Sequence, residues 1–142
     1  IVFSPKNAWE SAECFEYRPE GTFYIKETGN TVICTVCGYN ENMAETGKIC
    51  NKALKQIFDY DKISENAVLR NRRNGDVFSP YNGKGCKKLK DFFIDAKVER
   101  RERDKKILLA DGNRVLWIAG MRRSGECIPG PFTKRILRIE IV

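Results

Sequence analysis

Ile107-Leu108-Leu109-Ala110-Asp111-Gly112-Asn113-Arg114-Val115-Leu116-Trp117-Ile118 sets two apolar runs on either side of Gly112-Asn113. Glycine and asparagine accept the positive backbone angles of a tight turn, and the flanks are rich in branched and aromatic residues, so the stretch reads as an antiparallel hairpin. One strand is followed directly by its partner, with no helix between them. The fold class depends on how far that habit extends.

It extends to both ends of the chain. Downstream, Leu137, Ile139 and Ile141 alternate with Arg138 and Glu140, the period-two pattern of a half-buried strand. Upstream, segments 13–17 and 22–26 flank Arg18-Pro19-Glu20-Gly21, a turn with Pro early and Gly late. Thr28-Gly29-Asn30 then leads into a strand over 31–39, so these segments read as an antiparallel meander. Residues 40–48 read as a polar loop, 52–58 as a strand or a short helix, and 59–62 as its close. A short strand over 68–72 enters the turn Arg73-Asn74-Gly75-Asp76, and 79–85 is a Gly/Pro/Asn loop.

Helical periodicity is confined to the stretch between that loop and the hairpin. Leu89, Phe92, Phe93 and Ala96 fall at i, i+3, i+4 and i+7, which predicts a helix over 87–96. Glu99 to Lys106 are all charged, and Glu99/Arg103 and Glu102/Lys106 have the favourable i,i+4 order of a short solvated helix. Seven or eight short strands with one or two short helices make an α+β domain, mostly antiparallel β, with a sandwich-like core. The 142 residues suit one domain over 1–142, with a β-rich scaffold part over 1–58 and a basic part over 59–142.

Composition narrows the chemistry. The 42% hydrophobic and 11% aromatic content supports a real core. The absence of histidine removes every Ser-His, Cys-His and His-metal arrangement. The net charge of +7 is unevenly placed: residues 1–66 hold 7 Lys/Arg and 10 Asp/Glu, whereas residues 67–142 hold 19 and 9. One end of the molecule therefore faces a polyanion. No apolar run approaches the roughly 20 residues that span a bilayer, and no leader peptide is visible. The chain opens Ile1-Val2-Phe3 without Met, so it reads as a piece of a longer protein.

The six cysteines are 14, 34, 37, 50, 86 and 127. Cys34-Thr35-Val36-Cys37 has the spacing of a zinc knuckle or a redox pair, but it lies in a β-branched run where residues three apart point to opposite faces. No second such pair follows and no histidine completes a tetrahedral site. Buried or half-buried free thiols of a reducing compartment are the reading these residues favour.

Four basic groups are candidates for anion binding. Lys84, Lys87 and Lys88 stand in and just after a glycine loop at the start of the expected helix, where backbone N–H groups, helix dipole and ammonium groups could meet one phosphate. Arg70, Arg72 and Arg73 surround the 73–76 turn, with Arg70 and Arg72 on one strand face. Arg122 and Arg123 follow the hairpin, and Lys134 and Arg135 open the last strand. Arginine at this density suits bidentate phosphate contact. The carboxylates offer no catalytic pair: Asp91 and Asp95 read as surface ion pairs with nearby lysines, and Asp76 as an acceptor of turn N–H groups. Trp117 reads as core, and Tyr81 as a packed or base-stacking loop residue.

Taken together, Leu69-Arg70-Asn71-Arg72-Arg73-Asn74-Gly75-Asp76-Val77-Phe78, the run from Gly85 through Lys87-Lys88-Leu89-Lys90 to Val98, Arg103-Asp104, and Val115-Leu116-Trp117-Ile118-Ala119-Gly120 closely resemble the C-terminal domain of the tRNA(Ile)-lysidine synthase family. The resemblance covers about 59–142. It implies a β-sandwich shared with a tRNA-binding region of the phenylalanyl-tRNA synthetase β-subunit. It also implies a parent ligase that uses ATP, with magnesium, to adenylate the wobble cytidine of a tRNA(Ile) with a CAU anticodon; lysine then displaces AMP to give lysidine. That chemistry belongs to an N-terminal ATP-pyrophosphatase domain with a Ser-Gly-Gly-x-Asp-Ser loop, which this sequence lacks. The expectation is therefore a domain without catalysis or cofactor of its own, which partners tRNA(Ile), through its acceptor stem, and the parent's catalytic domain. The residues implied to touch tRNA are Arg70, Arg72, Arg73, Lys84, Lys87, Lys88 and Lys90, then Arg122 and Arg123. The alternative is a hydrolytic editing-like or general RNA-binding module.

Overall fold

A computed structural model describes residues 14–39 and 54–142. The loop expected over 40–48, Cys50 and the start of the 52–58 segment lie outside them. In chain order the elements are β1 (Glu16–Tyr17), β2 (Thr22–Ile25), β3 (Asn30–Gly38), β4 (Lys55–Asp59), a 3-10 turn (Tyr60–Lys62), β5 (Val68–Arg70), β6 (Val77–Phe78), β7 (Lys87–Lys88), α1 (Leu89–Asp95), α2 (Arg100–Arg103), β8 (Leu108–Asp111), β9 (Arg114–Ile118), β10 (Arg122–Arg123) and β11 (Arg135–Ile141).

The strands form two sheets. The smaller runs β2-β3-β11-β4, and the larger runs β1-β5-β8-β9-β6-β7 with β10 also paired to β9. All pairs are antiparallel except β6 with β9. The fold is thus mostly antiparallel β with two short helices, as the sequence predicts. Leu69, Leu109, Leu116 and Trp117 of the larger sheet pack with Ile25, Val32, Phe58, Leu137 and Ile139 of the smaller. On the far face of the larger sheet, Phe78, Leu108, Val115 and Ile118 pack with Leu89, Phe92 and Phe93 of α1.

The β8–β9 hairpin, with Gly112 at φ +63°, joins the two cores. Leu109 pairs with Trp117 but Ala110 with Val115, so Leu116 is an extra residue in the ladder. This bulge lets Leu116 and Trp117, adjacent in sequence, both face the inter-sheet core while Val115 and Ile118 face α1.

Several boundaries differ from expectation, each for a tertiary reason. The first segment leaves the meander: β1 pairs β5 in the other sheet, because Phe15 is buried between the sheets. The ambiguous 52–58 segment is a strand over its described part, held by β11 through pairs from Lys55↔Glu140 to Asp59↔Ile136. The helix begins at Leu89, since Lys87 and Lys88 pair with Phe78 and Val77 as β7. Ala96 caps that helix and is exposed. The one-turn α2 is too short for its i,i+4 pairs: Glu102 meets Lys105 at 4.0 Å, and Arg103 Nε donates to Val98 O at 2.7 Å. The strand count rises to eleven among the described residues because β6, β7 and β10 have only two residues each, too few to show a period.

Candidate functional site

The turn between β5 and β6 is built around a buried ion pair. With Leu69 facing the inter-sheet core, alternation turns Arg70 to the other face, where Asp76 covers it. Arg70 Nη1 and Nη2 donate to Asp76 Oδ2 and Oδ1 at 2.9 and 2.7 Å, and both residues are almost wholly buried. The same guanidinium donates to Asn71 O (2.8 Å) and Gly112 O (3.0 Å), fastening the turn to the β8–β9 hairpin. Asp76 Oδ2 also accepts Arg73 N–H at 2.8 Å, the turn-acceptor role expected of it. Its carbonyl accepts Leu89 N–H at 2.9 Å, which fixes the start of α1. Arg72 Nε donates to Asp104 Oδ1 at 2.7 Å and ties the turn to the end of α2.

Gly75 sits in this turn at φ +89°, where a Cβ meets nothing but the backbone angle disfavours any L side chain. Gly75→Ala should therefore cost about 1–2 kcal/mol, read as a lower urea midpoint with an unchanged slope.

The turn, the start of α1 and α2 enclose an open cleft of about 830 Å³. Six cations line it (Arg72, Arg73, Lys88, Lys90, Arg100 and Arg103) with two carboxylates, Asp76 and Asp104. Both carboxylates are already engaged, by Arg70 and Arg72. Arg73 pairs with Glu16 across an exposed gap. Lys88, Lys90 and Arg100 have no carboxylate partner among the described residues. A concave wall of one charge focuses its field outward and concentrates anions there. Its three cations without a carboxylate partner supply two ammonium point charges and one planar guanidinium fork, a set suited to a polyanion with repeated charges.

The structure thus gathers Arg72, Arg73, Lys88 and Lys90 of the residues singled out in the sequence, and adds Arg100 and Arg103. It does not bring the others to the cleft lining. Arg70 is a correction: its guanidinium is buried and donates four hydrogen bonds inside the fold, so no ligand reaches it. Arg123 is another. It is buried and donates to Ser124 O, Ile57 O, Glu126 O and Gln56 Oε1, with its guanidinium carbon 4.4 Å from the Phe58 ring centre. Burial pushes it down to about 10, still a cation at neutral pH. Lys87 pairs with Asp95 at 3.2 Å, the surface ion pair expected of that aspartate. Lys84 is exposed in the glycine loop, and exposed Arg122 donates to Tyr81 O at 2.7 Å. The helix start differs from the expected anion cradle in its details: Lys87 and Lys88 are strand residues, Leu89 N–H is bonded to Asp76 O, and of the lysines there only Lys88 and Lys90 line the cleft.

The described cysteines are free, and Cys34 and Cys37 both lie on β3. Cys14 and Cys86 are exposed, against the expectation of buried or half-buried thiols throughout. Burial pushes Cys34 up to about 11. Near pH 8 its thiolate fraction is then about a thousandth. An aromatic disulfide reagent should accordingly modify Cys14 and Cys86 first and Cys34 last of the three, read by mass spectrometry of the partly reacted chain.

Comparison with known proteins bears on both fold and cleft. Residues 67–127, which include the whole cleft lining, match the family described as the TilS substrate C-terminal domain. The tRNA(Ile)-lysidine synthase of Caldanaerobacter subterraneus subsp. tengcongensis is 45% identical over 85 residues, 60% of this chain and 18% of that protein. That of Clostridium tetani is 37% identical over 126 residues, 82% of this chain and 26% of that protein. That of Persephonella marina is 35% identical over 118 residues, 81% of this chain and 25% of that protein. The chain therefore spans about a quarter or less of the length of these relatives. A solved structure titled as the crystal structure of a TILS C-terminal domain superposes with a TM-score of 0.72 at 22% identity, covering 91% of this chain and 96% of that one. At that identity the likeness speaks to the fold.

Proposed function

Because the chain belongs to the family of the tRNA(Ile)-lysidine synthase C-terminal domain, we propose that it is a tRNA-binding domain whose 72–104 cleft holds RNA phosphates. The observation that carries this reading is the convergence of Lys88, Lys90 and Arg100 from three elements, β7, α1 and α2, on one cleft with no carboxylate to neutralise them. Phosphate contacts position a nucleic acid without reading its bases, so such a domain supplies orientation rather than chemistry. Helical RNA is recognised mainly by shape and backbone, which agrees with a grip on the acceptor stem.

On this reading the chain is part of a longer cytoplasmic ligase. Its partners are tRNA(Ile) and the parent's own N-terminal catalytic domain. That domain uses ATP with magnesium, and lysine, to convert the wobble cytidine of the CAU anticodon to lysidine. Holding the far end of the tRNA restricts the orientations in which the anticodon can approach the catalytic domain. Among the described residues no helix is long and apolar enough to cross a membrane.

Fluorescence anisotropy of labelled tRNA against the chain tests the proposal. Engagement of three to four phosphates predicts that affinity falls roughly 40- to 150-fold between 50 and 200 mM salt. Absence of binding, or binding insensitive to salt, overturns it.

A further inference from the structure

Phe132 is 93% exposed, more than any other large hydrophobic residue among those described. The loop that carries it is braced rather than loose. Prolines 129 and 131 precede it, Gly130 N–H donates to Thr133 Oγ1 at 2.8 Å, and Thr133 N–H donates to Gly130 O at 3.1 Å. Thr133 Oγ1 in turn donates to Oδ2 of the buried Asp59 at 2.9 Å. The other oxygen of Asp59 accepts Asp61 N–H at 3.1 Å, so one buried carboxylate fastens this loop to the 3-10 turn. The loop's exit is also tied, since Lys134 O accepts Tyr39 N–H at 2.9 Å. The surroundings are cationic: Lys134 is exposed with no carboxylate partner among the described residues, and the Arg135 guanidinium lies 4.9 Å over the Tyr60 ring while pairing with Asp61.

We infer that Phe132 is a stacking platform for an unpaired nucleobase of the bound RNA, with Lys134 beside it for a neighbouring phosphate. Every base offers a π face, so an aromatic ring held out on a rigid loop takes one without regard to sequence, and little conformational freedom is lost on binding. A protein socket could also accept a phenyl ring, but it would bring the unpaired Lys134 ammonium against a desolvated surface, which is costly without an acidic partner. A phosphodiester supplies that negative charge. The inference rests on the tRNA-binding reading and lies outside the cleft that carries it.

The test is a tRNA titration of the 142-residue chain and three variants. Phe132→Ala should weaken binding about 5- to 100-fold and leave the salt slope unchanged, and Phe132→Leu should match it, because leucine offers apolar area without a π face. Phe132→Trp should keep its affinity, with its added indole emission quenched by tRNA and by single-stranded oligouridine but not by duplex RNA. Wild-type affinity in Phe132→Ala or Phe132→Leu, or equal quenching by duplex, overturns the stacking role and leaves tRNA binding standing. Failure of the wild-type chain to bind tRNA overturns both.

Discussion

Asp76→Asn lowers the stability of the domain by about 3–5 kcal/mol, the usual loss when one partner of a buried ion pair is removed. The amide cannot balance the Arg70 charge, and the residue is 4% exposed, so water cannot take over. The damage spreads beyond the pair. Arg70 also holds Asn71 O and Gly112 O, and Asp76 holds the backbone of Arg73 and Leu89. One misfit thus loosens the β5–β6 turn, the β8–β9 hairpin and the start of α1. Urea unfolding should show the lower midpoint, with thermal unfolding about 10–20 °C lower. The double variant Arg70→Met/Asp76→Leu removes both charges and should recover part of the loss, but not all, because the carbonyls and N–H groups they bonded stay unpaired. A loss below about 1 kcal/mol for Asp76→Asn would contradict this account of the turn.

The triple variant Lys88→Ala/Lys90→Ala/Arg100→Ala is expected to fold normally and bind tRNA poorly. Lys88, Lys90 and Arg100 are exposed and lack partners among the described residues, so each change should alter stability by no more than about 0.5 kcal/mol. Binding is different. Each phosphate contact contributes about one unit to the slope of log affinity against log salt. Three lost contacts should flatten that slope by about 2–3, which near 0.1 M salt corresponds to a loss of roughly 100- to 500-fold. The pair Lys84→Ala/Arg122→Ala, outside the cleft lining, should change affinity by no more than about threefold. Equal losses in the two sets would mean that positive charge in general, and not this cleft, binds the RNA.

The sequence shows the fold class because the hairpin and the last strand carry their patterns locally. Gly112-Asn113 declares its turn, and Leu137, Ile139 and Ile141 declare their buried face. What the pattern cannot show is pairing decided at a distance. Lys87-Lys88 looks like the first turn of a helix, and only the proximity of Val77-Phe78 makes it a strand. The arginines are the sharper case. Arg70, Arg72 and Arg73 look alike in sequence, yet one is buried, one half-buried and one exposed. The burial of Leu69 already turns Arg70 to the opposite face, and an aspartate six residues on was the available sign that the face is covered. Arg123 offers no such sign, since its partners are carbonyls from β4 and from its own loop. Arg100 and Arg103 lie in a run of eight charges that reads as a solvated helix, and the cleft they complete is formed by a turn nearly thirty residues earlier.

The most direct test of the central claim is lysine acylation of the folded chain with and without saturating tRNA, read residue by residue by mass spectrometry. Bound tRNA should protect Lys88 and Lys90 at the cleft, while Lys26, beside β2 on the other sheet, reacts as before. Protection of Lys26 with Lys88 and Lys90 left reactive would contradict it.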